Sequence, residues 1–531
     1  MYHIDLKTDK PDITMMMSIM QEKMHRGVRV ADCKKIRDYF SNLRDTLASN
    51  FAEEYGISNP NSHVQVKGYI KAMSLRTDGD KRNDIVEICY DDETGKWRTD
   101  AEAMTQLADI GYEFAQDLLD YRQAKKNAET FESILKYIDE NGLIHPEVTL
   151  GKTNRLNYSN PGLMTIKKKL MWNVLAPFNE GDTLFSVDVK NQEPSILLNM
   201  TGDEELKDVL RSDEGLYETL YKRCFSPKAV ANVLVDVLDE DRQYTYGELR
   251  ELGTVSPAMY TAVKPMISGY TYKGKKVVEI ETVCVGCSQG AEPKLPKTVS
   301  IGLEDGSIET VEVVWETVNK RKSTDYTVLG DLKGIEIEIS KQERKEFKSS
   351  YLAISYGASI KGIERLCHTI DGKWVYKYVT GIKALKEYRA KIKKLAKEGT
   401  TTIGTIFGTP IFSEVESYDK KRLERVLLDL PIQGSGADIL SLLIKHFYEY
   451  IKENSLTDKM DIYFTRHDEL IIEVDKEFLA SAGEDKVKGI LKEIFEHQIN
   501  DWVPFKVEIN KAAATELDID FGDYGDFGDE A

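Results

Sequence analysis

Cysteine, excess positive charge and long apolar stretches are all scarce in this 531-residue chain. Its six cysteines, Cys33, Cys89, Cys224, Cys284, Cys287 and Cys367, are thinly spread, which excludes a disulfide-stapled scaffold and reads as reduced thiols. No uncharged apolar run reaches about 18 residues, so no membrane span is expected. Asp5, Asp9 and Asp12 stand where a secretory leader needs a basic start, so the chain reads as cytoplasmic. The formal net charge is -18, the wrong sign for a surface that binds phosphates by charge alone. Distribution qualifies that sum: seven acids and no base lie from Glu516 onward, while basic stripes run through 167–169, 341–348 and 383–397. What is abundant is 41% apolar and 31% charged residues, enough for two to four packed subdomains and too apolar for a disordered chain.

Apolar residues at helical spacing (Ile36, Tyr39, Leu43; Leu107, Ile110, Phe114, Leu118) predict a mainly helical region from about 20 to 150. The β-prone run Thr183–Val189, followed by Pro194 opening an apolar-periodic helix, puts Asp188 at a strand end. From about 226 to 338 the texture changes to alternating β-type segments, with Asp305-Gly306 read as a hairpin turn. Helices are expected again at 341–355, 382–397 and from Gly436 to about Ile451, then a second hairpin turning at His467-Asp468-Glu469. The acidic tail from about 516 lacks the apolar residues for a core and reads as flexible.

Two features bear on chemistry. Asp188 and the Asp468-Glu469 pair are strand-end carboxylates, the hard oxygen donors that two cations need for phosphoryl transfer. Arg344, Lys348, Leu352 and Tyr356 recur every four residues, so a helix would align two cations and an aromatic along one stripe able to grip a triphosphate. The Cys284/Cys287 pair has no His and no further Cys within the β-rich segment, too few ligands for a four-coordinate zinc.

Together these residues resemble the family A DNA polymerases. Asp188-Val-Lys-Asn-Gln-Glu193 resembles the first palm motif, Arg344-x3-Lys348-x7-Tyr356-Gly357 the fingers-helix motif, and His467-Asp468-Glu469 the last palm motif. Arg425 with Pro431-Ile-Gln433-Gly-Ser-Gly-Ala-Asp438, and Thr153-Asn-Arg155-Leu with Ser159-Asn160-Pro161, resemble further stretches in the same order. The resemblance implies an α+β right-hand polymerase fold: a palm with an antiparallel sheet, helical fingers and thumb, and a β-rich insertion in the fingers. It divides the chain into thumb and N-terminal segment (1–152), palm (153–210), fingers (211–402, holding the insertion 226–338), palm (403–515) and acidic tail (516–531).

The implied activity is template-directed DNA synthesis, adding dNTPs to the 3'-hydroxyl of primer-template DNA with two Mg2+ ions. By resemblance Asp188, Val189 and Asp468 hold metal, with Glu469 beside them. Arg344 and Lys348 bind the phosphates, and Lys348 is placed to protonate the leaving group. Val189, Glu193, Leu352 and Tyr356 complete the dNTP site, Glu193 as a steric gate against a ribose 2'-hydroxyl. Arg155, Arg425, Gln433 and His467 contact the DNA. The chain departs from the family in several places. About 150 residues precede Arg155, leaving no room for a 3'-5' exonuclease domain, so no proofreading is expected and the compact form is like phage-type replicases. Leu352 replaces an aromatic, so discrimination against dideoxynucleotides is expected; Asp429 stands where Asn is usual. The insertion and the tail are expected to dock a replication protein. Two alternatives stay open: a non-catalytic primer-template scaffold, and a single-subunit RNA polymerase.

Overall fold

The computed structural model describes residues 9–511 apart from 24–25, 77–79, 92–94, 212–214, 236–265, 319–323, 497, 500–502 and 505, so the acidic tail lies outside the described residues. Two compact units form: residues 1–200 with 395–531, and residues 201–394.

In the first unit, helices α1 (Val30–Glu54) and α2 (Glu113–Lys136) pack along each other. Phe40 stacks on Phe131 with ring centroids 6.4 Å apart, and Phe51 meets Phe114 and Tyr121 edge-on. The apolar series from Leu107 to Leu118 is not one helix. Gly111 adopts φ +91, which only glycine enters at low cost, so a helix ending at Asp109 stops there and α2 starts afresh. Ile110 is left 48% exposed.

Strand β1 (Thr183–Val189) ends as expected with Asp188 in its last two residues, and α3 (Gln192–Thr201) follows. Pro194 sits in the first turn of α3, where its missing N–H removes no helical bond.

In the second unit, α4 (Leu216–Cys224) precedes strands β2 (Lys228–Val235), β3 (Tyr270–Tyr272), β4 (Lys275–Ile280), β5 (Thr282–Cys287), β6 (Thr298–Leu303), β7 (Ile308–Trp315), β8 (Tyr326–Leu332) and β9 (Glu336–Ile337). They join in one eight-stranded sheet of order β5-β2-β8-β7-β6-β4-β3-β9. Asp305-Gly306 does turn the β6–β7 hairpin, with Gly306 at φ +81 and Gly302 facing Ile308. Cys284 and Cys287 lie buried in β5, and no zinc ligand set forms among the described residues.

Helix α5 (Lys341–Ser355) starts on a capping box. Ser340 Oγ accepts from the Glu343 N–H while Glu343 accepts from the Ser340 N–H at 2.9 Å, an arrangement contributing about 1 kcal/mol. It stops at Gly357, φ +91, where Gly357 N–H bonds Ile354 O and Ala358 N–H bonds Ala353 O, satisfying the last carbonyls.

Back in the first unit, α6 (Lys420–Glu453) runs 34 residues through Pro431, so the helix expected from Gly436 begins sixteen positions earlier. It is long and apolar enough to cross a membrane by length and composition, yet 89% of its apolar window is buried, as in a core helix. Strands β10 (Met460–Arg466), β11 (Glu469–Val474) and β12 (Val507–Lys511) complete an antiparallel sheet of order β10-β11-β1-β12.

Candidate active site

The turn between β10 and β11 holds only His467 and Asp468, because Arg466 already pairs with Glu469. So tight a hairpin needs a left-handed residue, and His467 takes it at φ +52. Glu469, expected in the turn, is instead the first residue of β11. Its cross-strand partner is Asp188, which on its other side pairs with Glu508 of β12. Opposed residues share a sheet face, so the Asp188 and Glu469 side chains leave the same side of the sheet. Glu469 is 5% exposed and accepts a hydrogen bond from Ser186 Oγ, two residues before Asp188. Val189 pairs with Val507 and is buried, which leaves its backbone carbonyl as the atom able to ligate.

Arg155 reaches this corner through a separate hairpin, Glu147–Leu150 with Leu156–Ser159. Tyr158 of that hairpin bonds Thr465 through its hydroxyl and meets Phe464 with centroids 4.8 Å apart, seating it on β10. Gly436 of α6 keeps the floor low: a Cβ there would lie 2.7 Å from Gln192 Oε1 and 3.3 Å from Arg155 Nη2. The i, i+4, i+8 spacing of Arg425, Asp429 and Gln433 sets them along one stripe of α6. Arg425 is exposed, and Gln433 Nε2 donates to Glu193 Oε1 at 2.8 Å.

The electrostatics follow from this crowding. Burial pushes the Asp468 carboxyl above the ordinary range; Arg155 opposes the shift while Glu193 and Glu469 add to it. Asp429 is raised by burial and by Glu193, with Gln433 and Arg155 opposing. His467 is lowered by desolvation and by Arg466 and Arg155. Acids held together at that cost are a place where a cation lowers the energy. Among the described residues no three His, Cys, Asp or Glu side chains close on one point. A few carboxylates and a carbonyl suit Mg2+, which keeps waters and takes further oxygens from substrate phosphates.

In the second unit, α5 presents Arg344 and Lys348 exposed and Leu352 and Tyr356 half-buried, while Phe347, Tyr351 and Ile354 fill its inner face. Tyr356 is the C-cap, its N–H on Leu352 O at 3.0 Å. Buried Glu346 braces the inner face by accepting from the backbone N–H groups of His368 and Thr369 at 3.0 and 2.9 Å. Gln192, Ser186 and α4's Tyr217 and Glu218 were not singled out from sequence. Each lies against a residue distant in the chain, and no local spacing marks it.

A separate cleft of about 400 Å³ opens at the other end of the β10–β11 pair, lined by residues including Lys23, Arg26, Asp461, Tyr463 and Glu473. It is not the carboxylate corner.

The profile of DNA polymerase family A matches residues 31–243 and 330–515, and that of a bacterial Ig-like domain (group 4) matches 277–335, starting in the gap between the two blocks and overlapping the first residues of the second. DNA polymerase I of Caldicellulosiruptor bescii is 29% identical over 185 residues, 34% of this chain and 21% of that protein. DNA polymerase I of Mycobacterium tuberculosis H37Rv is 23% identical over 407 residues, 74% of this chain and 33% of that protein. The DNA polymerase of Bacillus phage SP01 is 22% identical over 209 residues, 37% of this chain and 22% of that protein. The matches thus span between about a fifth and a third of these relatives. The POL domain of Pol1 from M. smegmatis, solved with DNA primer-template and dNTP, shares the fold at TM-score 0.61 and 16% identity, covering 94% of this chain and 68% of that one.

Proposed function

This chain belongs to DNA polymerase family A, and from that premise we propose that it is a template-directed DNA polymerase adding dNTPs to a primer 3'-hydroxyl. The observation that carries the reading is the cross-strand pair Asp188–Glu469 beside the Asp468 turn, a carboxylate corner at the end of an antiparallel sheet. In this reading residues 153–210 and 403–515 serve as palm, 211–402 as fingers and 1–152 as thumb and N-terminal segment.

Asp188, Asp468 and the Val189 carbonyl would hold two Mg2+ ions. Bound there, the ions supply Lewis-acid activation of the attacking hydroxyl and neutralise charge on the leaving phosphates. Glu469, held by Ser186, adds negative potential that favours cations at Asp188 and Asp468. Arg344 and Lys348 grip the triphosphate, and the Lys348 ammonium hands a proton to the departing pyrophosphate oxygen. Glu193, steadied by Gln433, fills the space a 2'-hydroxyl needs. Arg155, Arg425 and His467 meet the duplex near the primer terminus, Leu352 and Tyr356 the nascent pair.

The reading assigns no 3'-5' exonuclease to these residues; mismatched primers should survive incubation with the pure protein and Mg2+. It keeps the insertion 226–338 and the tail 516–531 as docking elements for a replication protein. It also favours a phage-type replicase working in a host cytoplasm.

Extension of a labelled primer with dNTPs or rNTPs, Asp468→Asn beside the parent, tests it. Synthesis from dNTPs that the substitution lowers about a thousandfold is expected, since loss of a metal ligand removes several kcal/mol of transition-state stabilisation. Selective rNTP use would turn the reading to an RNA polymerase. Primer-template binding without extension would turn it to a scaffold.

A further inference from the structure

The cations of α5 are not free-standing. Across from them runs α4, and three side chains on its facing stripe, Tyr217, Glu218 and Tyr221, engage α5. Tyr221 Oη donates to Glu343 Oε1 at 3.0 Å, inside the capping box. The Tyr217 ring lies under both cations, 5.9 Å from the Arg344 guanidinium carbon and 5.8 Å from Lys348 Nζ, within cation–π reach. Glu218 Oε1 accepts from Arg344 Nε in an ion pair.

Glu218 is itself placed by the backbone. It folds back over Gly215, the N-cap of α4, so closely that a Cβ on residue 215 would sit 2.0 Å from Glu218 Oε2. That oxygen is buried with no hydrogen-bond partner among the described residues. Its neighbourhood is the positive end of α4, which favours a carboxylate.

We infer that Glu218 and Tyr217 are positioning residues that hold Arg344 and Lys348 ready for a nucleoside triphosphate. The inference rests on the phosphate-binding role proposed for those two cations. A pair formed through Nε leaves the two Nη nitrogens of Arg344, which make no hydrogen bond among the described residues, as a fork for two phosphate oxygens. An arginine already confined to one geometry loses less side-chain freedom when the triphosphate arrives. The shared Tyr217 ring keeps two like charges side by side that would otherwise separate. Because Glu218 touches Arg344 rather than nucleotide, its effect falls on binding and not on the chemical step.

The test is the KM for dNTP and kcat, measured on primer-template for the parent, Glu218→Ala, Glu218→Gln, Arg344→Ala and the Glu218→Ala/Arg344→Ala pair. Glu218→Ala should raise KM about threefold, as for a partly exposed ion pair, with kcat changed less than twofold. Glu218→Gln should recover most of the loss, because its amide oxygen still accepts from Nε. In the Arg344→Ala background the alanine at 218 should change nothing further. An unchanged or lowered KM in Glu218→Ala, no recovery by Gln, or the same threefold rise without Arg344 overturns the inference and leaves the polymerase reading intact. A parental KM in Arg344→Ala alone overturns the phosphate role of Arg344, and the inference with it.

Discussion

Gln433 Nε2 and Glu193 Oε1, 240 positions apart in the chain, lie 2.8 Å apart in the fold. The amide comes from α6 and the carboxylate from the first turn of α3, so two elements fix the side chain proposed for sugar selection. Asp429, one helical turn before Gln433, is raised chiefly by burial and further by Glu193, while its hydrogen bond with Gln433 opposes the shift.

Glu193→Ala should admit ribonucleotides. The ratio of kcat/KM for dNTP over rNTP is expected to fall about 10- to 100-fold, the range a steric contact of this size supplies. Gln433→Ala, which leaves the gate in place but unanchored, should lower the same ratio by less. Steady-state incorporation of matched dNTP and rNTP measures both.

Glu473 gives a pH dependence of stability. It is 8% exposed, faces Asp461 across the β10–β11 pair, and is pushed up to about 7 chiefly by burial. A carboxyl whose folded-state value is raised favours the fold while protonated. That stability is present below about 4.5, its ordinary value, and is lost as pH rises through about 7. Glu473→Gln keeps an oxygen for the Asn179 N–H and carries no charge. It should raise unfolding free energy at pH 8 by about 1–3 kcal/mol and have little effect near pH 4.5. Urea denaturation at the two pH values checks this.

Gly357→Ala should cost about 1–2 kcal/mol, because φ +91 at the end of α5 is a left-handed conformation that a Cβ disfavours. Tyr356 caps the same helix, so dNTP affinity should fall with stability. The corresponding change at Gly489, within a helix and with nothing within 4 Å of the added carbon, serves as control and should leave both unchanged or slightly improved.

The β-rich insertion should be removable. Its entering strand β2 pairs with its leaving strand β8, Lys228 opposite Asp331, and the Leu332 N–H bonds Pro227 O at 3.0 Å. The two ends of the segment therefore emerge as neighbours, and a short linker can join them. A chain lacking residues 230–336 should keep basal extension on short templates, and loss of all extension by that variant, if folded, would show the segment to be integral.

The sequence by itself determined the local elements and the chemistry to look for. The β-prone run Thr183–Val189 and the alternation around Asp305-Gly306 produced the strand and hairpin they predict, because β propensity and side-chain periodicity are local properties. Four-residue spacing likewise aligned Arg344, Lys348 and Leu352 on α5. Local signals misjudged continuity: the positive φ of Gly111 divided an apolar series into two helices, and α6 runs on through Pro431. Tertiary structure alone decided who stands beside whom. The register that sets Glu469 against Asp188, the hairpin that brings Arg155 to Asp468, and the α4 side chains that brace Arg344 all join residues far apart in sequence. Such contacts carry no spacing to read, because they come from how separately folded elements bury their apolar faces against one another.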